Sequence, residues 1–556
     1  MRPEYRDPTK VNTINESQSP RTHSVRPNYT TIYTEYRTVA NIPRVSVYWD
    51  FVDQTSSMGL VLKAVGAYVL YIISRAVYNV FFHPLARFPG PKIWSASRLP
   101  YLFTLVIGQN SFRIKALHDE YGPIVRVAPN ELHINDPRAW NDIYLRKDSE
   151  IRPPQWGMRP PGIESYNVIS GVGADHARFR KALGLAFSED AVKEYEPTVR
   201  SYFNKFTARI DDLIAKNKGS AVVDMVKWSN FTTFDIIGEL AWSKSYGCLD
   251  TGAGHAIMGV LSHFQGVIIA AAITYYPWIN NALMAITPRS AFEDLKMIFN
   301  DGHERLQNRL KNGPSGHPDV LGHLAEYNKQ NPTAKITDDE IEQNVFSCLV
   351  AGSECLTTAF SGALHYLLVY PSKLHRAQQE VRAAFSSEAS INATDAAKLE
   401  YLNAIIEESL PPPPPPSQEP SSPSTVVSVS CYSMFRSASH FSAPDVFAPE
   451  RFLPSPSTDD SSKWSPDSPL NHNDMAAFKP WGVGPRECPA QPLARLEMRL
   501  FLAILLYRYD FRVAEGSYLT RWTSQRVFET WQKEKMDVEF TPASSSMGET
   551  LPVAAP

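Results

Sequence analysis

Residues 478–511 read FKPWGVGPRECPAQPLARLEMRLFLAILLYRYDF. Gly482, Gly484, Arg486 and Cys488 crowd into one short loop, and an amphipathic helix begins near Leu493. A cysteine just ahead of a helix N-terminus sits in a field that favours thiolate. The glycines let the loop turn tightly and let a flat ligand approach. Arg486, two residues before Cys488, is placed to pair with an anionic group on that ligand. A thiolate, a glycine turn and a nearby cation are what a haem iron with its propionates requires. The loop by itself is equally compatible with a buried cysteine at a helix start.

The rest of the chain surrounds this segment with mostly helical sequence. TDDEIEQNVFSCLVAGSECLTTAFSGALHYLLVYP opens with a capping-box pattern, Thr337 followed by Glu340, and closes at Pro371. It predicts a helix from Asp338 to Tyr370, roughly 50 Å long at about 1.5 Å per residue. A helix so apolar on most faces belongs in the middle of a large domain. DAVKEYEPTVRSYFNKFTARIDDLIAK has helical apolar spacing, and IVRVA and ELHI within EYGPIVRVAPNELHIND read as a hairpin. Residues 1–57 are polar and without periodicity, which predicts a disordered extension. Met58–Phe82 is apolar and long enough to span a bilayer, interrupted by Lys63 and Arg75. A membrane anchor and a buried core helix both fit that composition, and the basic, proline-rich hinge after it favours the anchor, leading into a cytosol-facing body. Residues 455–475 form a polar loop, and 543–556 a frayed tail.

Composition narrows the function classes. With 556 residues, 43% of them hydrophobic, the chain can build a substantial core. The net charge of −3 gives no reason to expect a nucleic-acid partner. Five cysteines without a CxxC pair argue against a disulfide scaffold and a structural zinc site.

Several separated motifs together resemble the cytochrome P-450 haem-thiolate monooxygenases, in the order that family has them. WGVGPRECPA resembles the cysteine-ligand loop, with Trp481 in the place of a phenylalanine and Gly484, Arg486 and Cys488 matching. FAPERF, Phe447–Phe452, matches the P-E-R-F signature, and LVAGSECLT resembles the A-G-x-E-T motif of the oxygen-activating helix. DHARFRKALGLAFSE is similar to the helix whose basic residues hold a haem propionate, here His176 and Arg180. FHPLARFPGPK and YGPIVRVAPNELHI are similar to filamentous-fungal members. The resemblance covers roughly residues 60–540. It implies a mainly α fold with small β-sheets: an anchor over 58–82 and a single large haem monooxygenase domain over 83–542. It implies haem b with Cys488 as axial ligand to the iron, and Arg486, Gly484, Trp481, His176 and Arg180 around the cofactor. Glu354 becomes the acid of a proton relay, and Gly352, with Ala351, lets the central helix lie close over the ring. Electrons come from NADPH through a separate reductase. The implied setting is the endoplasmic reticulum membrane with the haem domain towards the cytosol, and the substrate an apolar molecule of terpenoid, polyketide or alkaloid type in fungal secondary metabolism. The apolar stretch Gly266–Thr287 falls where the family has lid helices.

Departures from the pattern are as informative. Cys355 stands where the family has a proton-passing threonine, and a thiol is a weak donor. Thr357 and Thr358 point elsewhere round the helix, at about 100° per residue. Ala490 replaces a glycine, and Pro489 has no N–H for the sulfur. YLNAIIEESL resembles the E-x-x-R helix with Glu408 as the glutamate, but the arginine's position holds Pro411, first of the run Pro411–Pro416. That pair engages Arg451 of P-E-R-F in the family, so Glu408 and Arg451 are expected to form what remains of a buried network. The run predicts polyproline II, and the chain after it is too short for all the strands that line the substrate pocket. The alternative function is a degenerate or mis-spliced relative without a competent haem site. A proline-run ligand for an SH3- or WW-type partner is the weakest reading, since no basic specificity residue flanks the run.

Overall fold

The computed structural model describes residues 54–145, 151–152, 165–262, a few positions between 276 and 285, 289–313, 316–410, 417–418, 425–454, 473–528 and 530–543. The expected disorder of the N-terminal extension (apart from 54–57) and of the tail after 543, the lid over 266–287, the polyproline run and most of the loop 455–475 lie outside these residues. The chain divides into two units, Met1–Lys63 and Ala64–Pro556.

Helix starts at Gln54, a few residues ahead of the apolar stretch, and runs to Val77 before a π-helical turn, Tyr78–Phe82. The span Gly59–Phe82 is long and apolar enough to cross a membrane. Leu60, Leu62, Leu70, Tyr71 and Ile73 on it are all exposed. The second segment that passes the same test, Asp338–Val369, is mostly buried.

That second segment is the central helix, and it forms as its sequence predicts. Thr337 caps it reciprocally with Glu340, and Pro371 opens the following helix, Pro371–Ala384. Glu340 also receives both guanidinium ends of Arg178, which ties the helix start to the helix Gly173–Ala186. Three more helices surround it: Glu189–Lys216, Met225–Trp242 and Gln491–Arg508. Phe501 of the last stacks on Phe360 of the central helix, centroids 3.9 Å apart, and meets Phe203 and Phe206 of Glu189–Lys216. Four aromatic rings at one junction fix the helix after the cysteine loop against the central helix.

The sheets are small. The predicted hairpin is present as β1 (Ile124–Ala128) and β2 (Glu131–Ile134), with a bulge between Arg126 and Ala128. With β3 (Ile151–Arg152), β5 (Ser417–Gln418) and β6 (Val426–Val429), the larger sheet has the order β1-β2-β6-β5-β3, and β4 (Ala221–Asp224) lies outside it. The chain after the proline run therefore keeps more strand than its length suggests: β6 lies parallel to β2, and β5 bridges it to β3. A second sheet joins β4 to β7 (Tyr509–Val513) and the C-terminal Asp537–Pro542.

Candidate active site

The cysteine loop is shaped by its glycines. Gly482 and Gly484 both have positive φ, +72° and +77°. A Cβ on Gly484 would lie 2.5 Å from the carbonyl oxygen of Tyr144, so no side chain fits there. Tyr144 in turn accepts the N–H of Val429 on β6 through its hydroxyl, 3.0 Å away, and so braces the loop against the larger sheet. The Cys488 N–H donates to the Trp481 carbonyl at 2.8 Å, closing the loop on itself. Trp481 carries the guanidinium of Arg495 5.4 Å from its ring centroid, and Arg495 pairs with Glu407.

Burial pushes the Cys488 thiol up, while the Ala490 N–H and Arg180 pull it down. Burial is the largest of these effects, and the positive charge of a bound metal would favour the thiolate. The missing N–H of Pro489 is made good by its neighbour Ala490.

Facing the loop is the middle of the central helix. Cys355 is exposed, yet protein surrounds it and desolvation pushes its thiol up to about 12. A side chain that is both accessible and enclosed lines an internal cleft. Ala351 is exposed in the same way, and Cys348, one turn earlier, is half-buried. Positions 348, 351 and 355 share one face of the helix. Cys348 and Cys355 both lie within electrostatic reach of Cys488, so that face of the helix is near the loop.

Gly352, half-buried on the same turn, is also where another helix passes closely. A Cβ there would sit 2.9 Å from Cγ1 of Ile237, so the residue is small because the helix Met225–Trp242 crosses closely at that point. Glu354, half-buried at the edge of the cleft, pairs with Lys533 at 2.9 Å. The threonines beyond it are engaged elsewhere: Thr357 with Thr233 of Met225–Trp242, 2.9 Å apart, and Thr358 with Lys533 and the Glu354 carbonyl. Neither turns to the place of Cys355.

At the other edge of the loop three basic side chains gather. Arg486 donates to the carbonyls of Ile169 and Gly171 at 3.0 and 2.6 Å. Arg180 lies 3.5 Å from Glu487 and also donates to its carbonyl. His176 is buried beside them, and desolvation with the charges of Arg486 and Arg180 pushes it down to about 4. Burial also lowers Arg486 to about 10. Two arginines and a neutral histidine around half-exposed Glu487 make a region short of negative charge. The residues present thus fit a haem: a soft sulfur donor, an enclosed cleft with a face of small side chains, and a cationic rim suited to its carboxylates.

Behind the loop, Glu408 pairs with Arg451 at 2.9 Å, both side chains almost fully buried, and accepts the Ala448 N–H. Arg451 also donates to Ser442, Asn473, Ala443 and Val446, which satisfies all its N–H groups. Sequence reading missed a second cation here. Arg436 lines the same cavity as Glu408, Arg451 and Tyr366. It donates to the Pro444 carbonyl at 2.6 Å, bonds Tyr366, and lies within electrostatic reach of Glu408. One glutamate and two arginines therefore share the site although position 411 is proline. No spacing in the sequence links Arg436 to Glu408. Lys533 was missed for the same reason.

The Cytochrome P450 family model matches residues 91–411 and 423–530, and the short gap between the two matched segments holds most of the proline run. Trichothecene C-4 hydroxylase of Trichoderma arundinaceum is 34% identical over 499 residues, 86% of this chain and 96% of the relative. Trichothecene C-15 hydroxylase of Fusarium sporotrichioides is 30% identical over 510 residues, 88% and 99% of the two chains. Cytochrome P450 monooxygenase lcsI of Purpureocillium lilacinum is 31% identical over 503 residues, 85% and 92%. The fold is similar to the crystal structure of cytochrome P450DA heme domain, with TM-score 0.62 and 16% identity over 82% of this chain and 96% of that one.

Proposed function

The chain belongs to the cytochrome P-450 family, as a haem monooxygenase that takes electrons from a reductase, and we propose that it hydroxylates an apolar small molecule of fungal secondary metabolism. A terpenoid, polyketide or alkaloid-like skeleton is the substrate class, and the two relatives named as trichothecene hydroxylases are the pointer to hydroxylation. The redox partner is an NADPH-dependent reductase. Residues 58–82 anchor the protein in the endoplasmic reticulum membrane, and residues 83–542 form the haem domain towards the cytosol; the exposed apolar helix supports this.

The observation that carries the reading is the opposition of the Cys488 loop to the open face of the central helix, with a cationic rim beside it. Cys488 would hold the iron as thiolate. His176, Arg180 and Arg486 would take the haem carboxylates. The haem, when bound, supplies the activation of dioxygen and the insertion of one oxygen atom. Glu354 holds a proton-accepting carboxylate at the edge of the cleft, and the small side chains at 351 and 355 leave room beneath it. The alternative of a relative without a competent haem site rests on Pro411 and Cys355. Against it, Glu408 keeps Arg451 and has Arg436 nearby.

The test is the spectrum of the reduced protein with carbon monoxide. A thiolate-type Soret band is expected. No haem, or a band typical of a neutral axial ligand, would overturn the reading.

A further inference from the structure

Within that reading, on which the inference rests, the geometry points to Lys533 as a positioning residue: its ammonium holds the Glu354 carboxylate and completes a proton path from solvent to the cleft. Lys533 follows the strand Thr530–Trp531. Its chain neighbours Gln532 and Glu534 are exposed, while its own side chain turns inward and is only 6% exposed. Its Nζ donates to Glu354 Oε2 at 2.9 Å and to Thr358 Oγ1 at 3.1 Å. Thr358 donates onward to the Glu354 carbonyl at 2.8 Å. The ammonium is thus clamped at two points on one turn of the central helix, between surface chain and cleft.

The cleft side explains why such a clamp matters. Cys355 is a weak donor, and Thr357 is turned to Thr233. Of the side chains at 348, 351, 352, 354 and 355, only Glu354 bears a carboxyl group. A carboxylate moves protons only when held within reach of both its source and its acceptor. Lys533 supplies the hold and an N–H already bonded to it. Lys533 keeps its own proton throughout and holds the carboxylate in place, while Glu354 takes a proton from water at the edge of the cleft and gives it up into the cleft, so that both side chains end as they began.

The experiment uses the full-length holoenzyme with a purified NADPH-dependent reductase and no substrate, so the unknown substrate is not needed. Dioxygen then leaves as hydrogen peroxide, with one NADPH and one proton consumed, or as two waters, with two NADPH and two protons. Breaking the O–O bond needs the extra protons, so K533M should raise the share of NADPH electrons recovered as peroxide several-fold. E354Q should do the same, and the double variant should be no worse than either single one, as for residues acting as one unit. K533R, which keeps the charge, should recover much of the loss. A second readout is independent of turnover: in the haem-free chain, K533M should lower Tm by a few degrees, and E354Q should cost little more once Lys533 is gone. Wild-type peroxide yield in K533M, or additive effects of the two substitutions in both assays, would overturn the inference. If the wild type lacks the thiolate-type carbon monoxide band, the proposed function fails instead. A normal band with an unchanged peroxide yield sinks only the role of Lys533.

Discussion

Two regions flank the C-terminal helix and were built in different ways. The Cys488 loop keeps its motif residues in their expected order, and its shape is dictated locally: two left-handed glycines, a carbonyl that excludes any Cβ at Gly484, and a backbone hydrogen bond back to Trp481. The Glu408 region has lost its motif partner at 411. It nevertheless surrounds the glutamate with Arg451 and Arg436, drawn from chain that follows the proline run. Adjacent carboxylates divide between the two regions: Glu407 pairs with Arg495 beneath Trp481, and Glu408 with Arg451. A loop that must present one sulfur tolerates few substitutions. A buried charge needs a counter-charge, and which residue supplies it matters less.

The largest test of this contrast is at the sulfur. Cys488→Ser should abolish the thiolate-type carbon monoxide band and monooxygenase turnover, yet leave the haem-free chain as stable as the parent in chemical denaturation. Arg451→Met should do the reverse. It leaves Glu408 buried without its closest partner, and breaking such a pair costs about 3–5 kcal/mol. That loss should show as a lower denaturation midpoint with or without haem. If Cys488→Ser were the more destabilising of the two in the haem-free chain, the two regions would not differ as described.

The cationic rim gives a pH-dependent test. His176 is pushed down to about 4 in the folded chain, from an ordinary value near 6.5. As pH falls, the unfolded chain binds that proton first, so stability is full above about 6.5 and declines towards about 4. At roughly 1.4 kcal/mol per pH unit over that interval the loss is on the order of 3 kcal/mol in the haem-free protein. His176→Gln should remove that part of the slope. Haem carboxylates beside Arg180 and Arg486 would offset the positive field, so the loaded protein should show a shallower slope.

What the sequence makes legible is what local chemistry decides. The central helix follows from its capping box and terminal proline, and the β1–β2 hairpin from two short β-rich runs between turn signals. The glycine requirement at 484 follows from the loop pattern. Contacts between distant segments are not legible in the same way. Lys533 lies 179 positions from Glu354, and nothing in either neighbourhood announces the pair. Arg436 sits in a stretch read only for the strands it lacked. Gly352 was singled out because the motif contains it, and nothing in its neighbourhood announces that Ile237 packs against it. A motif reports which residues recur together; it does not say which neighbour each one needs.

The finest test asks whether Arg436 stands in for the missing arginine. Arg436 bonds Tyr366 and Pro444, so Arg436→Met should cost about 1–3 kcal/mol, the range for hydrogen bonds made by a charged group. Pro411→Arg, made with a connection of the length usual in relatives, separates the explanations. If Arg436 already neutralises Glu408, the new arginine should change the parent's stability by less than about 1 kcal/mol, because a second cation meets a charge already balanced. In the Arg436→Met background the same change should recover most of the loss, since there the buried carboxylate lacks its second counter-charge. Equal gains in the two backgrounds would mean that the sites act independently and that Arg436 serves only its own hydrogen bonds. A non-additive result would locate the compensation for Pro411 at a residue that follows the proline run.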